Sequence, residues 1–503
     1  MKKKWLGMKI YLFFCFLISS FLFLNTNGRI VFLYTHFRHG ARGPVELNDN
    51  FEDNLGEKWT SLGELTGVGE RMHYLLGLRN RKKYIEEEGF LSPRFDPHQM
   101  LIFTTNKNRT MISCYSHLQG LYPQRANISE ELLTPKQEEK AYPPILEKDK
   151  DPDIEKAIKE LDGSALPYRM MLAPARMVSD KEIKMSIHNI GECKEKTDKI
   201  KKDNENIQEF KDFVKKFNKE YAESFNKYYK KEKAEFKTED IKKICEDFFS
   251  DYTEDREMKD FKETTGLDFD KLKADCLDFY KNYYFYSYYG DKDRLLAVIE
   301  TSKMMREFIF YMKRRLDADM TEVDEDADYR DYSRPRWILT SGHDSTISAN
   351  LVLLIKALDL DMNTKFYYPK YAVQLALEIR TKSEKCKSYS DYNIMGYFDN
   401  NELFNIKVDE FISKVESVIW TDQQVDEYCG FKIEIEDKTN NTNNNNNIYK
   451  ILMIVFICLT GILLILIIIL GVKFYKLTHP ETNLIKESKV NKTDVSVSIA
   501  DKV

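Results

Sequence analysis

The sequence has almost no excess charge of either sign. Its 77 lysines and arginines nearly balance its 82 aspartates and glutamates, so the net charge is only −5 over 503 residues. Apart from the lysines at its start, the chain has no basic stripe of the kind that binds nucleic acid, and we expect no such partner. Disorder is disfavoured as well, because 31 phenylalanines and 30 tyrosines suit a packed globular protein.

Two long runs contain no charged residue at all. The first, Ile10–Leu24, follows three lysines and precedes small residues, so residues 1–28 are typical of a secretory signal peptide. The alternative is an uncleaved signal anchor, which we disfavour because the pattern of a strand begins directly after it. The second run, 451–472, matches the length of about 20 residues that crosses a bilayer as a helix.

The residues around the second run indicate how it would sit in a membrane. Asparagine dominates residues 439–450, which would form a flexible stalk, and this argues against a buried core helix behind them. Lysines follow the run at once, as expected for a cytoplasmic tail of residues 473–503. We therefore predict a single-pass type I membrane protein that faces the lysosomal or endosomal lumen or the cell surface. Asn127 and Asn440 are glycosylation acceptors if exposed, whereas Asn108 is expected to stay bare.

Cysteine is scarce. Two of the 8 cysteines, Cys15 and Cys458, fall in the apolar runs, which leaves an even number for an oxidising compartment. The remaining cysteines are Cys114, Cys193, Cys245, Cys276, Cys386 and Cys429. They can pair in many ways, so the sequence alone leaves the disulfides open.

The most informative pattern is Arg-His-Gly-Ala-Arg-Gly-Pro. It follows a continuous apolar run, 30–37, of the kind found in buried parallel strands. Ligands of open α/β sheets bind beyond the carboxyl ends of such strands. His39, between the guanidinium groups of Arg38 and Arg42, therefore suits attack on a phosphorus atom whose oxygens the arginines hold. Gly40 would let the backbone approach the phosphate closely.

Two further patterns each follow a predicted strand. Arg109 comes after the short apolar run 100–103 and begins a predicted helix, and His343 and Asp344 come after the apolar run 337–340. Each pattern is weak alone, because an arginine there is ordinarily a surface charge and a His-Asp pair is common. They become candidates for the same site only through the family resemblance described below.

The composition changes between these patterns. Lysine and glutamate dominate residues 115–290, where aromatic and apolar residues recur every three to four positions, as in amphipathic helices. We interpret the aromatic stripe as a core face rather than a binding platform, and the charged faces as solvated surface. Sheet patterns return later, which predicts an α/β domain interrupted by a helical insertion. The predicted divisions are the signal peptide (1–28), first core part (29–114), helical cap insertion (115–290), second core part (291–438), stalk (439–450), transmembrane helix (451–472) and tail (473–503).

The chain resembles the histidine phosphatase superfamily in its acid phosphatase branch. The resemblance rests on RHGxRxP, on the segment that begins at Arg109, and on the His343-Asp344 pair. It implies a phosphoglycerate mutase-like three-layer α/β core with a mainly parallel central sheet and an inserted α-helical cap, to which this chain adds a single C-terminal transmembrane helix. It also suggests a Cys193–Cys429 disulfide and a homodimer. Cys245–Cys276 is our second predicted pair, and Cys114 is expected to be a free buried thiol.

The resemblance also implies how the site would work. His39 would attack in line and form a phosphohistidine, while Asp344 would protonate the departing alcohol and later help to activate water. The groups that would bind the substrate phosphate are Arg38, Arg42, Arg109 and His343. Since these groups would neutralise the phosphate charge, we expect neither a metal ion nor another cofactor.

The preferred interpretation is a membrane-anchored acid phosphatase that acts on small phosphomonoesters with broad specificity. A phytase or inositol polyphosphate phosphatase would use the same scaffold, and it would need further lysines and arginines along the pocket. A non-catalytic receptor with this fold is disfavoured, because the chain keeps every motif residue that the chemistry needs. A mutase is disfavoured because the His343-Asp344 pair belongs to the phosphatase branch.

Overall fold

The computed structural model describes residues 28–45, 59, 61–123, 132–141, 143, 145–146, 150–167, 170–178, 193–233, 235–290, 295–321 and 335–429. The predicted stalk, transmembrane helix and tail lie outside these ranges, as do the acceptors Asn127 and Asn440 and all of the predicted signal peptide except Gly28. Within the described ranges, no helix combines the length and the apolar character needed to cross a membrane.

A central sheet organises the fold. Its strands are β1 (Arg29–Arg38), β2 (Met100–Thr105), β3 (Arg176–Val178), β4 (Trp337–Gly342), β5 (Gln374–Thr381), β6 (Asn393–Phe398) and β7 (Asn401–Lys407). They lie in the order β3-β2-β4-β1-β5-β6-β7. All of β1 except Arg29 is buried, as its continuous apolar sequence predicts.

The sheet is mixed, which corrects the prediction of a mainly parallel one. The pairs β2–β3, β2–β4 and β1–β4 are parallel, whereas β1–β5, β5–β6 and β6–β7 are antiparallel. A short connection explains the antiparallel pairing of β6 and β7. Only Asp399 and Asn400, with φ of 46° and 68°, separate β6 from β7. A two-residue hairpin of this kind can join only antiparallel strands, because a parallel pair needs a long crossover.

Helices accompany the sheet and build the insertion. The α-helices within the described residues are α1 (Gly67–Arg81), α2 (Asn108–Leu121), α3 (Pro135–Lys140), α4 (Pro152–Leu161), α5 (Lys194–Asn204), α6 (Gln208–Tyr229), α7 (Thr238–Thr253), α8 (Lys259–Thr265), α9 (Phe269–Tyr289), α10 (Leu295–Thr321), α11 (Asp344–Leu358), α12 (Met362–Lys365), α13 (Val408–Glu416) and α14 (Asp422–Cys429). A π-helical turn, Lys82–Glu87, continues α1, and a 3₁₀ turn, Tyr389–Asp391, precedes β6.

The sheet carries helices on both faces. Phe32 of β1 belongs to an apolar cluster with α10, α11 and α13, whereas Leu33 belongs to a second cluster with Leu118 of α2. Alternate side chains of a strand point to opposite faces, so β1 is covered on both sides. Burial of this kind is the dominant favourable term in folding.

The insertion has a core of its own. Aromatic residues of α6 to α9 form a separate apolar cluster, which confirms that the aromatic stripe is a core face. Helix α2, however, continues past residue 115 and packs with the sheet, and strand β3 lies within 115–290 yet joins the sheet. The separate cluster therefore begins only at helix α6, which starts at Gln208, whereas the helical insertion was predicted to begin at residue 115.

Both predicted disulfides are present. Cys193–Cys429 joins the start of α5 to the end of α14, and Cys245–Cys276 joins α7 to α9. Cys114 is a free buried thiol, as predicted, and burial raises the pKa of that thiol to about 12. The disulfides thus tie the insertion to the C-terminal end of the described chain and fix two of its helices to each other.

Candidate active site

Three neighbouring parallel strands bring the predicted site residues to one edge of the sheet. β4 lies between β1 and β2 and runs parallel to both, so their carboxyl ends share an edge. His39 directly follows β1, His343 directly follows β4, and Arg109 lies in the first turn of α2, just beyond β2. The structure thus places together three segments that are far apart in the sequence.

The His39 ring is held in one tautomer. Its Nδ1 lies 2.9 Å from the carbonyl oxygen of Gly40, and because a carbonyl only accepts, Nδ1 carries the proton and Nε2 keeps its lone pair. His39 is 2% exposed. Burial, followed by the positive charges of Arg38 and Arg42, holds the pKa of His39 well below its ordinary value of 6.5. The imidazole is therefore neutral even in mild acid.

The three arginines of the site each leave one buried donor unused. The Nε–H groups of Arg38, Arg42 and Arg109 have no hydrogen-bond partner within the described residues. Other atoms of these side chains are anchored, since Arg38 Nη1 donates to the Pro369 carbonyl and Arg42 Nη1 to the Gly43 carbonyl, both at 2.8 Å. A buried donor without a partner costs about 1–3 kcal/mol. Three such donors around one histidine indicate an anion-binding site, because a bound anion would accept hydrogen bonds from them.

Repulsion among these cations is visible at Arg109. Burial, followed by the charge of Arg42, lowers the pKa of Arg109 to about 10. The half-buried side chain nevertheless stays charged at neutral and acid pH. An anion bound among the guanidinium groups would relieve this repulsion.

Asp344 begins α11 and pairs with Arg38. Its Oδ2 lies 2.8 Å from Arg38 Nη2, and its Oδ1 accepts the Ser345 backbone N–H at 2.8 Å. The Tyr368 hydroxyl donates toward Oδ2 at 3.5 Å. Burial alone would raise the pKa of Asp344, but Arg38 and Arg42 outweigh it and keep that pKa below its ordinary value of 3.8. Asp344 paired with Arg38 is therefore a carboxylate at neutral pH.

His343 is oriented by a residue that the sequence analysis missed. The Nε2 of His343 lies 3.1 Å from Thr105 Oγ1, at the end of β2, and Thr105 Oγ1 lies 2.7 Å from Thr110 Oγ1. The His343 and His39 rings meet edge-on with centroids 5.7 Å apart. Thr105 lies two positions after the predicted strand 100–103 and three positions before the first residue of α2, and a hydroxyl at this junction was the available signal.

Gly40 has a packing role that the sequence analysis did not predict. A Cβ at this position would lie 2.4 Å from the carbonyl oxygen of Gly69, and a Cβ on Gly69 would lie 2.2 Å from the carbonyl oxygen of Ala41. The glycines therefore let the motif loop and the first turn of α1 pack backbone to backbone. Close approach to helix α1 is therefore one constraint on Gly40, and the expected approach to the phosphate stays a prediction.

A cavity of about 610 Å³ opens beside the site, between the core and the insertion. Its tyrosines were not predicted: Tyr368 stacks on Tyr280 at 5.1 Å between centroids, and the guanidinium carbon of Arg38 lies 4.4 Å from the centroid of Tyr371. Two of these tyrosines lie in the aromatic segment 366–371, directly before β5. Such a cluster in a connecting segment was the signal for them.

The interpretation of the insertion's charged faces as solvated surface is wrong for helix α7, whose charged face contacts the core. Glu246 Oε1 lies 2.7 Å from Arg42 Nη1, and Asp251, only 1% exposed, accepts from Trp59 Nε1 at 2.9 Å. Both carboxylates contact the segment that follows the motif, so the insertion supplies part of the site. Neither residue carries a local sequence signal, because each looks like one more acidic position on an amphipathic helix.

Comparison with known proteins agrees with the pattern of the site. The model of the family described as "Histidine phosphatase superfamily (branch 2)" matches residues 1–394. A putative acid phosphatase of Caenorhabditis elegans is 38% identical over 106 residues, 21% of this chain and 24% of that protein. The testicular acid phosphatase of Homo sapiens is 36% identical over 108 residues, 21% of this chain and 25% of that protein.

These alignments are local, since the chain matches only about a quarter of the length of each of these relatives. Among solved structures, the phytase of Hafnia alvei in complex with myo-inositol hexakis sulphate superposes with a TM-score of 0.50. That superposition covers 80% of this chain and 99% of the phytase at 11% identity. It supports the fold.

Proposed function

The chain belongs to the histidine phosphatase superfamily, branch 2, and on this premise we propose that it hydrolyses phosphate monoesters through a phosphohistidine at His39. The observation that carries the proposal is the set of buried Nε–H groups of Arg38, Arg42 and Arg109, which have no partner in the described part of the chain, beside a neutral imidazole. Fixed donors in a buried site stabilise the charge of a transferring phosphoryl group without reorganisation.

The first step would be attack by the Nε2 lone pair of His39 on phosphorus. The N–P bond forms as the ester P–O bond breaks, and the proton of Asp344 goes to the departing alkoxide. Asp344 is a carboxylate at neutral pH because Arg38 pairs with it. A phosphate anion that binds Arg38 would draw charge away from this pair and raise the pKa of Asp344, and acid pH would complete its protonation.

In the second step, water would attack the phosphohistidine. Asp344, now deprotonated, accepts the proton of that water, and the N–P bond breaks to give inorganic phosphate and a neutral His39. The hydrogen bond from Nδ1 to Gly40 keeps the ring in one orientation through both steps. His343 would bind a phosphate oxygen, with its ring held by Thr105.

A phosphatase assay of the full-length chain against pH tests this proposal. We expect turnover of simple phosphomonoesters that is highest in acid and is lost in His39→Ala. Activity that persisted in His39→Ala would overturn the assignment of the nucleophile.

A second candidate is an inositol polyphosphate phosphatase. Lys242, Lys243, Lys273 and Lys370 line the cavity, and burial, followed by the charge of Glu246, raises the pKa of Asp247 in the same wall to about 8. That wall would be more positive in acid, which favours a highly anionic substrate. Glu239 and Glu246 also line the cavity and oppose such a substrate. Release of phosphate from inositol hexakisphosphate that is slow relative to release from simple esters would exclude this candidate.

We also propose that the mature protein is a glycosylated, single-pass membrane protein of the lysosome or cell surface. The apolar run 451–472 and the signal-like residues 1–28 support this proposal, and one relative is named as the lysosomal acid phosphatase of Xenopus laevis. Glycosidase sensitivity and protection of only the tail from external protease would test it. A homodimer remains an expectation from the family resemblance, which sedimentation of the detergent-solubilised chain would test.

A further inference from the structure

One helix of the insertion reaches the loop that carries the catalytic motif. The inner face of α7 packs Ile244 and Phe248 into the core of the insertion, and Cys245 on this helix is bonded to α9. The opposite face carries the carboxylates that touch the core. Glu246 contacts Arg42, and Glu254, at the end of the helix, accepts from Thr66 Oγ1 at 2.5 Å.

Glu246 makes two contacts with one oxygen. Its Oε1 accepts from Arg42 Nη1 at 2.7 Å and from the Val45 backbone N–H at 2.8 Å. The Arg42 side chain is 9% exposed and that of Glu246 is 21% exposed, so water screens this pair only partly. The Gly43 carbonyl accepts from the same Nη1 at 2.8 Å. Two acceptors, the Gly43 carbonyl and the Glu246 carboxylate, therefore hold Nη1 of the Arg42 guanidinium group.

This arrangement leaves the Nε–H of Arg42 available to donate to a phosphate. Its Nε has no partner within the described residues, whereas its Nη1 is fully engaged. A guanidinium group is planar, so fixing one nitrogen on two acceptors also sets the direction in which the remaining donors point. The Glu246 carboxylate also offsets one of the three positive charges of Arg38, Arg42 and Arg109, which repel each other.

We propose that Glu246 is a positioning residue: from the helical insertion, it aims Arg42 at the substrate phosphate and so makes the insertion part of the phosphate site. This role rests on the proposed function, since it concerns the phosphate that the enzyme would hydrolyse. Glu246 acts through its two hydrogen bonds, and its charge is secondary. Loss of the hydrogen bonds should therefore weaken phosphate binding, whereas loss of the charge alone should not.

Two variants of the full-length chain separate these effects, with inorganic phosphate as the probe and titration calorimetry as the measurement. Glu246→Ala removes both hydrogen bonds, and we expect it to bind phosphate about tenfold more weakly than wild type, which corresponds to about 1.4 kcal/mol. Glu246→Gln keeps an oxygen that can accept from Arg42 and Val45, and we expect its affinity to equal or exceed that of wild type. The matched control is Glu254→Ala, which removes another contact between α7 and the core but touches no arginine.

The possible outcomes are distinct. Weaker binding in Glu246→Ala, restored in Glu246→Gln and absent in Glu254→Ala, supports the positioning role. Equal affinities in the two Glu246 variants overturn it, whether both match wild type or both are weaker, and so does an equal loss in Glu254→Ala. Because phosphate binding needs no turnover, a wild-type chain that binds phosphate without hydrolysing esters would overturn the proposed function alone.

Discussion

Replacing Asp344 with asparagine should separate proton donation from substrate binding. Asparagine has nearly the same shape, and its amide oxygen can still accept from Arg38 Nη2, which now lies 2.8 Å from Asp344 Oδ2. Arg38 also keeps its bonds to the Pro369 carbonyl, at 2.8 Å, and to the Tyr368 hydroxyl, at 2.9 Å. The positions of the phosphate ligands should therefore change little, and the missing proton donor should dominate the effect.

The size of the effect follows from the leaving group. A positioned general acid contributes about 10²–10⁴-fold, so alkyl phosphates, whose alkoxide needs a proton, should be hydrolysed about 10³-fold more slowly, or ~4 kcal/mol. 4-Nitrophenyl phosphate has a leaving group that departs as an anion, and its first step should slow by about tenfold or less. Burst kinetics with both substrates would measure that step. Equal slowing of the two esters would refute the general-acid role.

The same variant has a second, pH-dependent consequence. The pKa of Asp344 is lower in the folded protein than its ordinary value of 3.8, so its ion pair with Arg38 stabilises the fold fully above that value. This stabilisation is lost as the pH falls through the folded pKa. The difference in unfolding free energy between wild type and Asp344→Asn should be largest near neutral pH and should vanish in strong acid. Urea unfolding of both proteins at neutral pH and in strong acid would measure this difference in unfolding free energy. A difference that is larger in acid than at neutral pH would contradict the ion pair.

Two predictions concern stability. Gly40→Ala should destabilise the protein by about 2–3 kcal/mol or more in a thermal melt, because the new Cβ would lie 2.4 Å from the Gly69 carbonyl oxygen. Gly67→Ala is the control and should be nearly neutral in the same melt, because no atom lies within 4 Å of its new Cβ. A neutral Gly40→Ala would show that the two backbones are not in contact. Replacing Cys245 and Cys276 together with serine should cost about 3–4 kcal/mol, as expected for a closed loop of 31 residues, and urea unfolding without reductant would measure it. No loss of stability in that double variant would contradict the bond.

The location of the site was predictable because its signals are local. His39, Arg109 and His343 each follow a short apolar run, and such runs form neighbouring buried strands. The carboxyl ends of parallel strands share an edge, but the sequence did not show that these strands are neighbours, so Arg109, His343 and Asp344 were assigned to the site from the family resemblance. The pairing of Cys193 with Cys429 likewise came from the resemblance, since the number of cysteines alone leaves the pairing open.

Glu246 could not be predicted, for a physical reason. It lies 204 positions from Arg42 in the sequence, on the polar face of an amphipathic helix where most charges are solvated. Only the packing of α7 against the motif loop decides that this one carboxylate meets an arginine. Tyr280 was equally hidden, because burial in a stack and burial in a core give the same sequence pattern, whereas the aromatic segment 366–371 gave a signal for the two cavity tyrosines that lie in it.

The direction of the last three strands was also beyond the sequence analysis. The helical period of the insertion and the buried run of β1 indicated an α/β fold. The residues of β5 to β7 are typical of strands, but they do not show whether each strand runs parallel or antiparallel to its neighbour. For β6 and β7, the antiparallel direction follows from the two-residue turn at Asp399 and Asn400. The parallel half of the sheet, which carries the site, is the half that the motifs identified.

The account depends most on the covalent bond at His39. Wild type and His39→Ala would be mixed with ³²P-labelled substrate and quenched in alkali, which preserves phosphohistidine, and the labelled peptide would then be identified. The account predicts one acid-labile phosphate on the peptide that contains His39 in wild type and none in His39→Ala. Hydrolysis by wild type without any labelled enzyme, or a label on another residue, would contradict it.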